Sequence, residues 1–214
     1  MHNIVENLLS IKNEIQSNNS KAEIVAVSKT FPISKILPLI NCGHVHYGEN
    51  KIQEAVDKWT EIKKDFKNIK LHFVGKLQTN KVKFTLPLFD YIHSLDTLKL
   101  AEKIANEQVK QKYKPKIFIQ VNIAKEQQKN GVDVENLEKF YSDCVKNFDL
   151  NIIGLMCLPP NDKTPEIYFT KMQSLVDKIN LKELSMGMTN DYIKAIQCKS
   201  TFLRIGSKIF GSRN

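Results

Sequence analysis

Glu23-Ile-Val-Ala-Val-Ser-Lys29 is the stretch on which the fold is decided. Four apolar residues stand in a row between a glutamate and a Ser-Lys pair. A run this short and unbroken reads as a strand buried on both faces, as in a parallel sheet covered by helices. The period then changes, because Ile33, Ile36, Leu37 and Ile40 recur at helical spacing. Upstream, Ile4, Leu8, Ile11 and Ile15 form one apolar helical face, so an extra helix precedes the first strand.

The alternation repeats along the chain. His44-Val-His-Tyr-Gly48, Leu71-His-Phe-Val-Gly75, Tyr91-Ile-His-Ser-Leu95, residues 116–123, Ile152-Ile-Gly-Leu-Met-Cys157, Glu183-Leu-Ser-Met186 and Thr201-Phe-Leu-Arg-Ile-Gly206 read as further strands. Helical patterns separate them, as in Ile52, Ala55, Val56, Trp59 and Ile62, or Leu100, Ala101, Ile104 and Ala105. Asn50 with Gln53 three residues on reads as a capping box, and Asp96 as a second cap. Thr164 followed by Pro165 places a proline at the first helical position, where its missing N–H costs nothing. Strands alternating with helices call for an α/β protein with a parallel sheet. Eight such units without a linker favour a closed (β/α)8 TIM barrel, one domain over residues 1–214, above an open doubly wound sheet.

Composition bounds the function. With 42% apolar and 26% charged residues the chain is neither disordered nor a membrane bundle. Its longest apolar runs fall far short of the ~20 residues that span a bilayer. The first residues lack a basic segment followed by an apolar one, so no signal peptide is expected. Cys42, Cys144, Cys157 and Cys198 are scattered, which excludes a CxxC pair or zinc knuckle and suggests reduced thiols in the cytoplasm. The net charge of +9 comes from 32 basic and 23 acidic residues, yet the only arginines are Arg204 and Arg213. A lysine excess without guanidinium forks reads as solvated helix faces, not a nucleic-acid site, and leaves anionic small molecules as fitting partners. His44 and His46 form an HxH pair with no acidic or thiol ligand nearby in sequence, so packed or supporting histidines are expected and no metal. Dinucleotide, P-loop and nucleophile-elbow motifs do not occur.

In a (β/α)8 barrel the chemistry sits where strands end. The residues there are Lys29, Asn50, Lys76, Asp96, Asn122, Ser185 and the Arg204-Ile-Gly-Ser207 run. A lysine closing an apolar strand lies beside a low-dielectric wall that favours the free amine, the form that makes a Schiff base. The alternative is a lysine that snorkels to solvent. Arg204 stands between Leu203 and Ile205 in a chain that otherwise uses lysine, so it faces either a fixed ligand atom or a structural carboxylate. Ser185-Met-Gly187 and Gly206-Ser207 end the seventh and eighth strands, where such barrels often hold a phosphate.

Ala26-Val-Ser-Lys-Thr30, Tyr47-Gly-Glu-Asn-Lys51, Gly75-Lys-Leu-Gln-Thr-Asn-Lys81, Ile92-His-Ser-Leu-Asp96, Gly154-Leu-Met156, Leu184-Ser-Met-Gly-Met188 and Arg204-Ile-Gly-Ser-Lys-Ile-Phe-Gly211 follow one another over nearly the whole chain. In these motifs the sequence closely resembles the pyridoxal 5′-phosphate homeostasis protein family, single-domain relatives of the N-terminal barrel of alanine racemase. The resemblance implies that Lys29 carries pyridoxal 5′-phosphate (PLP) as an imine and that Arg204 faces the pyridine nitrogen. It implies further that Ser185, Gly206 and Ser207 hold the phosphate and that Asn50 lies beside the ring. Two positions depart from the family pattern. Lys76 stands where histidine or a small residue is usual, and Lys199 replaces the glycine before Ser200-Thr201.

An arginine at the ring nitrogen cannot take up a proton, so the ring stays a weak electron sink. The chain ends at Asn214, after the eighth unit, so the second domain that supplies the other acid/base group in alanine racemases is expected to be missing. A monomeric carrier is therefore expected, with no catalytic residue of its own and with PLP-dependent apo-enzymes as recipients. A slow amino-acid racemase is the alternative.

Overall fold

The computed structural model describes residues 3–126, 130–160 and 164–212; Arg213 and Asn214 lie outside them. Its strands are β1 (Glu23–Val27), β2 (His46–Glu49), β3 (Lys70–Phe73), β4 (Tyr91–Leu95), β5 (Lys116–Asn122), β6 (Val132–Asp133), β7 (Asn151–Cys157), β8 (Glu183–Ser185) and β9 (Phe202–Ile205). All pair in parallel, in the order β4-β3-β2-β1-β9-β8-β7-β5-β6. A further β4–β5 pairing joins the ends and closes a ring of eight staves, with β6 outside it on β5. The expected closed barrel is the fold, and its staves fall within about two residues of the apolar runs.

The longer helices around it are α1 (Ile4–Ser17), α2 (Ile33–Asn41), α3 (Ile52–Trp59), α6 (Leu98–Gln111), α7 (Leu137–Asn147), α8 (Pro165–Lys178) and α9 (Tyr192–Gln197). Single turns α4 (Ile62–Asp65), α5 (Val82–Thr85) and α10 (Ser207–Phe210) complete the set. Two cores result from the strands' period of two. Ile24 and Ala26 belong to the outer core shared with the helices, whereas Val25 joins Tyr91, Phe118, Met156 and Phe202 inside the barrel.

The extra helix α1 buries Leu8, Ile11 and Ile15, and the Asn3 side chain caps it by accepting from the Glu6 N–H at 3.3 Å. It braces the far end of the chain. Asn7 Nδ2 donates to the Ile209 carbonyl at 3.0 Å, and Lys208 pairs with Glu14 at 3.0 Å. No helix among the described residues is long and apolar enough to cross a membrane.

Three local expectations fail. Asn50 does not cap α3, because the chain stays extended through Lys51 and the helix starts at Ile52 without a side-chain cap. Asp96 does not cap α6; Thr97 does, its hydroxyl accepting from the Leu100 N–H at 3.2 Å. The helix expected to run on to Ile62 ends at Trp59 and resumes as α4. Pro165 does open α8. Lys199 holds a left-handed φ of 59°, a conformation that glycine adopts more readily than lysine.

Candidate cofactor site

Alternation along β1 turns Val25 into the barrel, and Val27 and Lys29 continue on that face toward its mouth. Lys29 lines a cavity of about 400 Å3 together with Val27, Val74, Leu158, Arg204, Gly206 and Ser207. The cavity thus collects residues from the ends of four strands, at the rim where barrel sites form.

The turn after Lys29 is held from outside the barrel. Thr30 adopts a left-handed φ of 70°, and its N–H donates to Glu54 Oε1 at 2.6 Å. Lys58 reaches Glu54 at 3.0 Å, Glu49 at 2.9 Å and the Ser28 carbonyl at 3.0 Å. Glu49 Oε1 also accepts from the Ser28 hydroxyl at 2.8 Å and from Trp59 Nε1 at 3.0 Å. Burial opposes the Glu54 carboxylate, but the Thr30 N–H and Lys58 outweigh it and keep its pKa below the ordinary value. Sequence reasoning missed this frame. Its clue was a glutamate ending β2 directly before a helix that carries Glu54, Lys58 and Trp59 four or five residues apart.

Arg204 faces into the barrel from β9. Its Nη1 donates to the Ser185 carbonyl and hydroxyl, both at 2.6 Å, and its Nη2 donates to the Cys157 carbonyl at 2.7 Å. These neutral acceptors hold the guanidinium from behind and leave N–H groups over for the cavity it lines. Burial pushes its pKa down, with Cys157 and Asp191 opposing. Of the two readings left open by the sequence, a structural carboxylate partner is not what these hydrogen bonds describe.

The structure does not place every expected residue in this cavity. Ser185 is fully buried beneath it, with its hydroxyl engaged by Arg204 and His93, so it is not free to meet a phosphate. Parity explains the miss: Ser185 ends β8 on the inward face, below the rim. The following loop supplies Met188, Thr189, Asn190 and Asp191 instead. Ser207 Oγ lies 3.2 Å from Thr189 Oγ1, and Asp191 accepts from the Met188 N–H at 2.6 Å. Gly187 makes the bend at φ 89°, where a Cβ would stand 2.6 Å from the Ala195 side chain. Gly206 and Ser207 line the cavity as expected.

Asn50 lines a neighbouring cavity of about 440 Å3 that also contains Lys51, Gln53 and Lys76. Its Oδ1 is buried without a hydrogen-bond partner, a polar atom aimed at nothing the protein supplies. Gly75 presses on its backbone so closely that a Cβ would be 2.4 Å from the Asn50 carbonyl oxygen.

The HxH histidines part company. His44 is buried, its Nε2 donates to the His46 carbonyl at 2.9 Å, and burial pushes its pKa down to about 3. His46 points into the barrel and meets His72. No metal-binding cluster occurs among the described residues.

The alanine racemase N-terminal domain family matches residues 1–214 of this chain. The pyridoxal phosphate homeostasis protein of Aquifex aeolicus is 38% identical over 201 residues, covering 90% of this chain and 87% of that protein. The pyridoxal phosphate homeostasis protein of Haemophilus influenzae is 35% identical over 229 residues, covering 99% of this chain and 97% of its own length. Among solved structures, PipY of Synechococcus elongatus PCC7942 with PLP bound superposes with a TM-score of 0.88 at 30% identity, over 97% of this chain and 100% of that one. A full-length match in sequence and in barrel geometry settles the kinship: the chain belongs to the alanine racemase N-terminal domain family and, within it, to the pyridoxal phosphate homeostasis proteins.

Proposed function

We propose that this protein binds pyridoxal 5′-phosphate reversibly at Lys29 and hands it to PLP-dependent apo-enzymes, maintaining the cofactor supply without robust turnover chemistry of its own. The observation that carries the reading is the gathering of Lys29, Arg204, Gly206 and Ser207 around one cavity at the strand ends. The cofactor brings three handles: an aldehyde that condenses with an amine, a ring nitrogen that accepts a hydrogen bond, and a phosphate.

The residues present fit all three. Lys29 supplies the amine beside the apolar wall of Val27 and Val74. Arg204, fixed from behind by Ser185 and Cys157, offers the ring nitrogen a donor that never takes up its proton. The hydroxyls of Ser207 and Thr189, with the backbone at Gly206, suit a phosphate. Asn50, expected beside the ring, lines a different cavity from Lys29 and Arg204.

Carriage is favoured over turnover by what the cavity offers for proton transfer. Besides Lys29, the titratable groups that line it are Asp191, whose Oδ1 accepts from the Met188 N–H and is held to the loop, and the permanently charged Arg204. Racemisation needs a second acid/base facing the first. Cys42, Cys144, Cys157 and Cys198 form no disulfide, which suits a reducing cytoplasm, and a monomer suffices for the site as described.

Hydride reduction of the cofactor-loaded protein followed by peptide mass spectrometry tests the site. A pyridoxyl mass on the peptide containing Lys29 is expected, and label confined to other lysines overturns it. Equilibration of L- and D-alanine by loaded protein in deuterated water, at rates typical of enzymes, would make it a racemase instead.

A further inference from the structure

A file of side chains runs through the barrel interior. His46 Nδ1 lies 2.8 Å from His72 Nε2, and His72 Nδ1 lies 2.8 Å from His93 Nε2. His93 Nδ1 lies 2.9 Å from Ser185 Oγ, on which Arg204 Nη1 converges at 2.6 Å. The file links His46, which lines a cavity of about 460 Å3 under α1, to Arg204 at the opposite mouth. His72, His93 and Ser185 are fully buried.

Arginine can only donate, which makes the Ser185 oxygen an acceptor, and the direction of the other links follows from where the Ser185 proton goes. The Ser185 oxygen accepts from Arg204, and His93 Nδ1 is the other side-chain partner its buried hydroxyl has among the described residues, so a hydroxyl proton that must find an acceptor goes to His93 Nδ1. His93 then carries its proton on Nε2 and donates to His72 Nδ1. His72 in turn donates from Nε2 to His46 Nδ1. With the Ser185 proton on His93 Nδ1, an imidazolium anywhere in the file would set two N–H groups head to head, which a buried site does not tolerate. Burial also lowers the pKa of all three rings, helped at His93 by Arg204 and at His72 by its histidine neighbours; at His46 the carboxylates of Glu23 and Asp90 oppose it and Lys70 and Lys116 reinforce it. Stacking fixes the ring planes, His72 on Tyr91 at 4.1 Å between centroids and His93 on Phe118 at 4.4 Å.

We propose that His46, His72 and His93 are positioning residues for Arg204: a one-way chain of neutral imidazoles, each protonated at Nε2, that locks the Ser185 hydroxyl as the guanidinium's acceptor. The chain sets where Arg204 presents its remaining N–H groups. Its effect on cofactor affinity rests on the PLP reading above, whereas its proton arrangement does not.

Two measurements test it. Nitrogen-15 NMR of the imidazoles in cofactor-free wild-type protein at neutral pH should show a protonated Nε2 and a bare Nδ1 at all three residues. A protonated Nδ1 at any of them overturns the chain. In PLP titrations, His93→Leu should weaken binding about tenfold, since Ser185 loses the partner for its proton. His93→Asn, which returns an acceptor near the Nδ1 position, should recover most of that loss. Wild-type affinity in His93→Leu, or no recovery in His93→Asn, overturns the positioning role. If His93→Leu fails to fold, Ser185→Ala is read in its place, with the same tenfold loss expected and unchanged affinity contradicting it. A wild-type protein that binds no PLP sinks the function reading, while the NMR result still decides the chain.

Discussion

Glu49 shows how single residues carry this site without touching a ligand. Its buried Oε1 takes donors from Ser28, Lys58 and Trp59, and Lys58 passes the restraint on to Glu54 and so to the Thr30 turn beside Lys29. Glu49 is fully buried, so removing it leaves Lys58 with Glu54 and strips the buried Ser28 hydroxyl and Trp59 N–H of the acceptor they share. Glu49→Ala is expected to cost about 2–3 kcal/mol in urea unfolding, the range for buried donors left without an acceptor; a loss below about 1 kcal/mol, the range of exposed pairs, would show the network to be incidental. Lys29 and Arg204 were legible because each breaks the composition of an otherwise apolar strand. Ser185 was misplaced because a strand-end residue can face the rim or the layer beneath it, and sequence position does not distinguish them. Thr189 and Asn190 were illegible because loop residues carry no periodicity.

At the scale of elements, the strands announced themselves and the helix starts did not. Eight short, mostly apolar runs set between helical patterns can be recognised from sequence, whereas β6, with two residues, is too short to show any pattern. Caps depend on where the backbone leaves the extended region, and at Asn50 and Asp96 it does so one residue later than the side-chain chemistry suggested. The β7–β8 pairing gives an element-level test. Gly154 pairs with Glu183, and a Cβ on it would stand 1.9 Å from the Glu183 carbonyl oxygen. Backbone cannot yield there without parting the strands, and Ser185 at the end of β8 would move with it. Gly154→Ala should therefore lower both the melting temperature and PLP affinity, and a variant matching wild type in both would show that β8 is not held by this contact.

Over the whole molecule, closure is the property that brings β1 and β9 side by side and so places Lys29 near Arg204. The count of eight units suggested it, and the pairing of the first stave with the last, β1 with β9, realises it. A barrel filled with neutral histidines also carries a pH signature. His44 is pushed down to about 3 by burial, and His72 and His93 well below their ordinary 6.5 by the same cause. Below pH 6.5 the unfolded chain takes up protons that the folded one refuses, so stability falls with pH from there toward 3 and is unaffected by these groups above it. Each such histidine contributes up to ~1.4 kcal/mol per pH unit inside that window. Denaturation midpoints should thus drop steeply between neutral and mildly acidic pH, and a flat profile there would mean that the interior histidines are not held neutral.

The most direct trial of the account is an absorbance titration of wild type and Lys29→Ala with pyridoxal 5′-phosphate. Wild type should develop a visible band that saturates at one equivalent. Lys29→Ala should show none while keeping the wild-type circular dichroism spectrum and melting temperature. A band of equal amplitude in the variant, or none in the wild type, would contradict it.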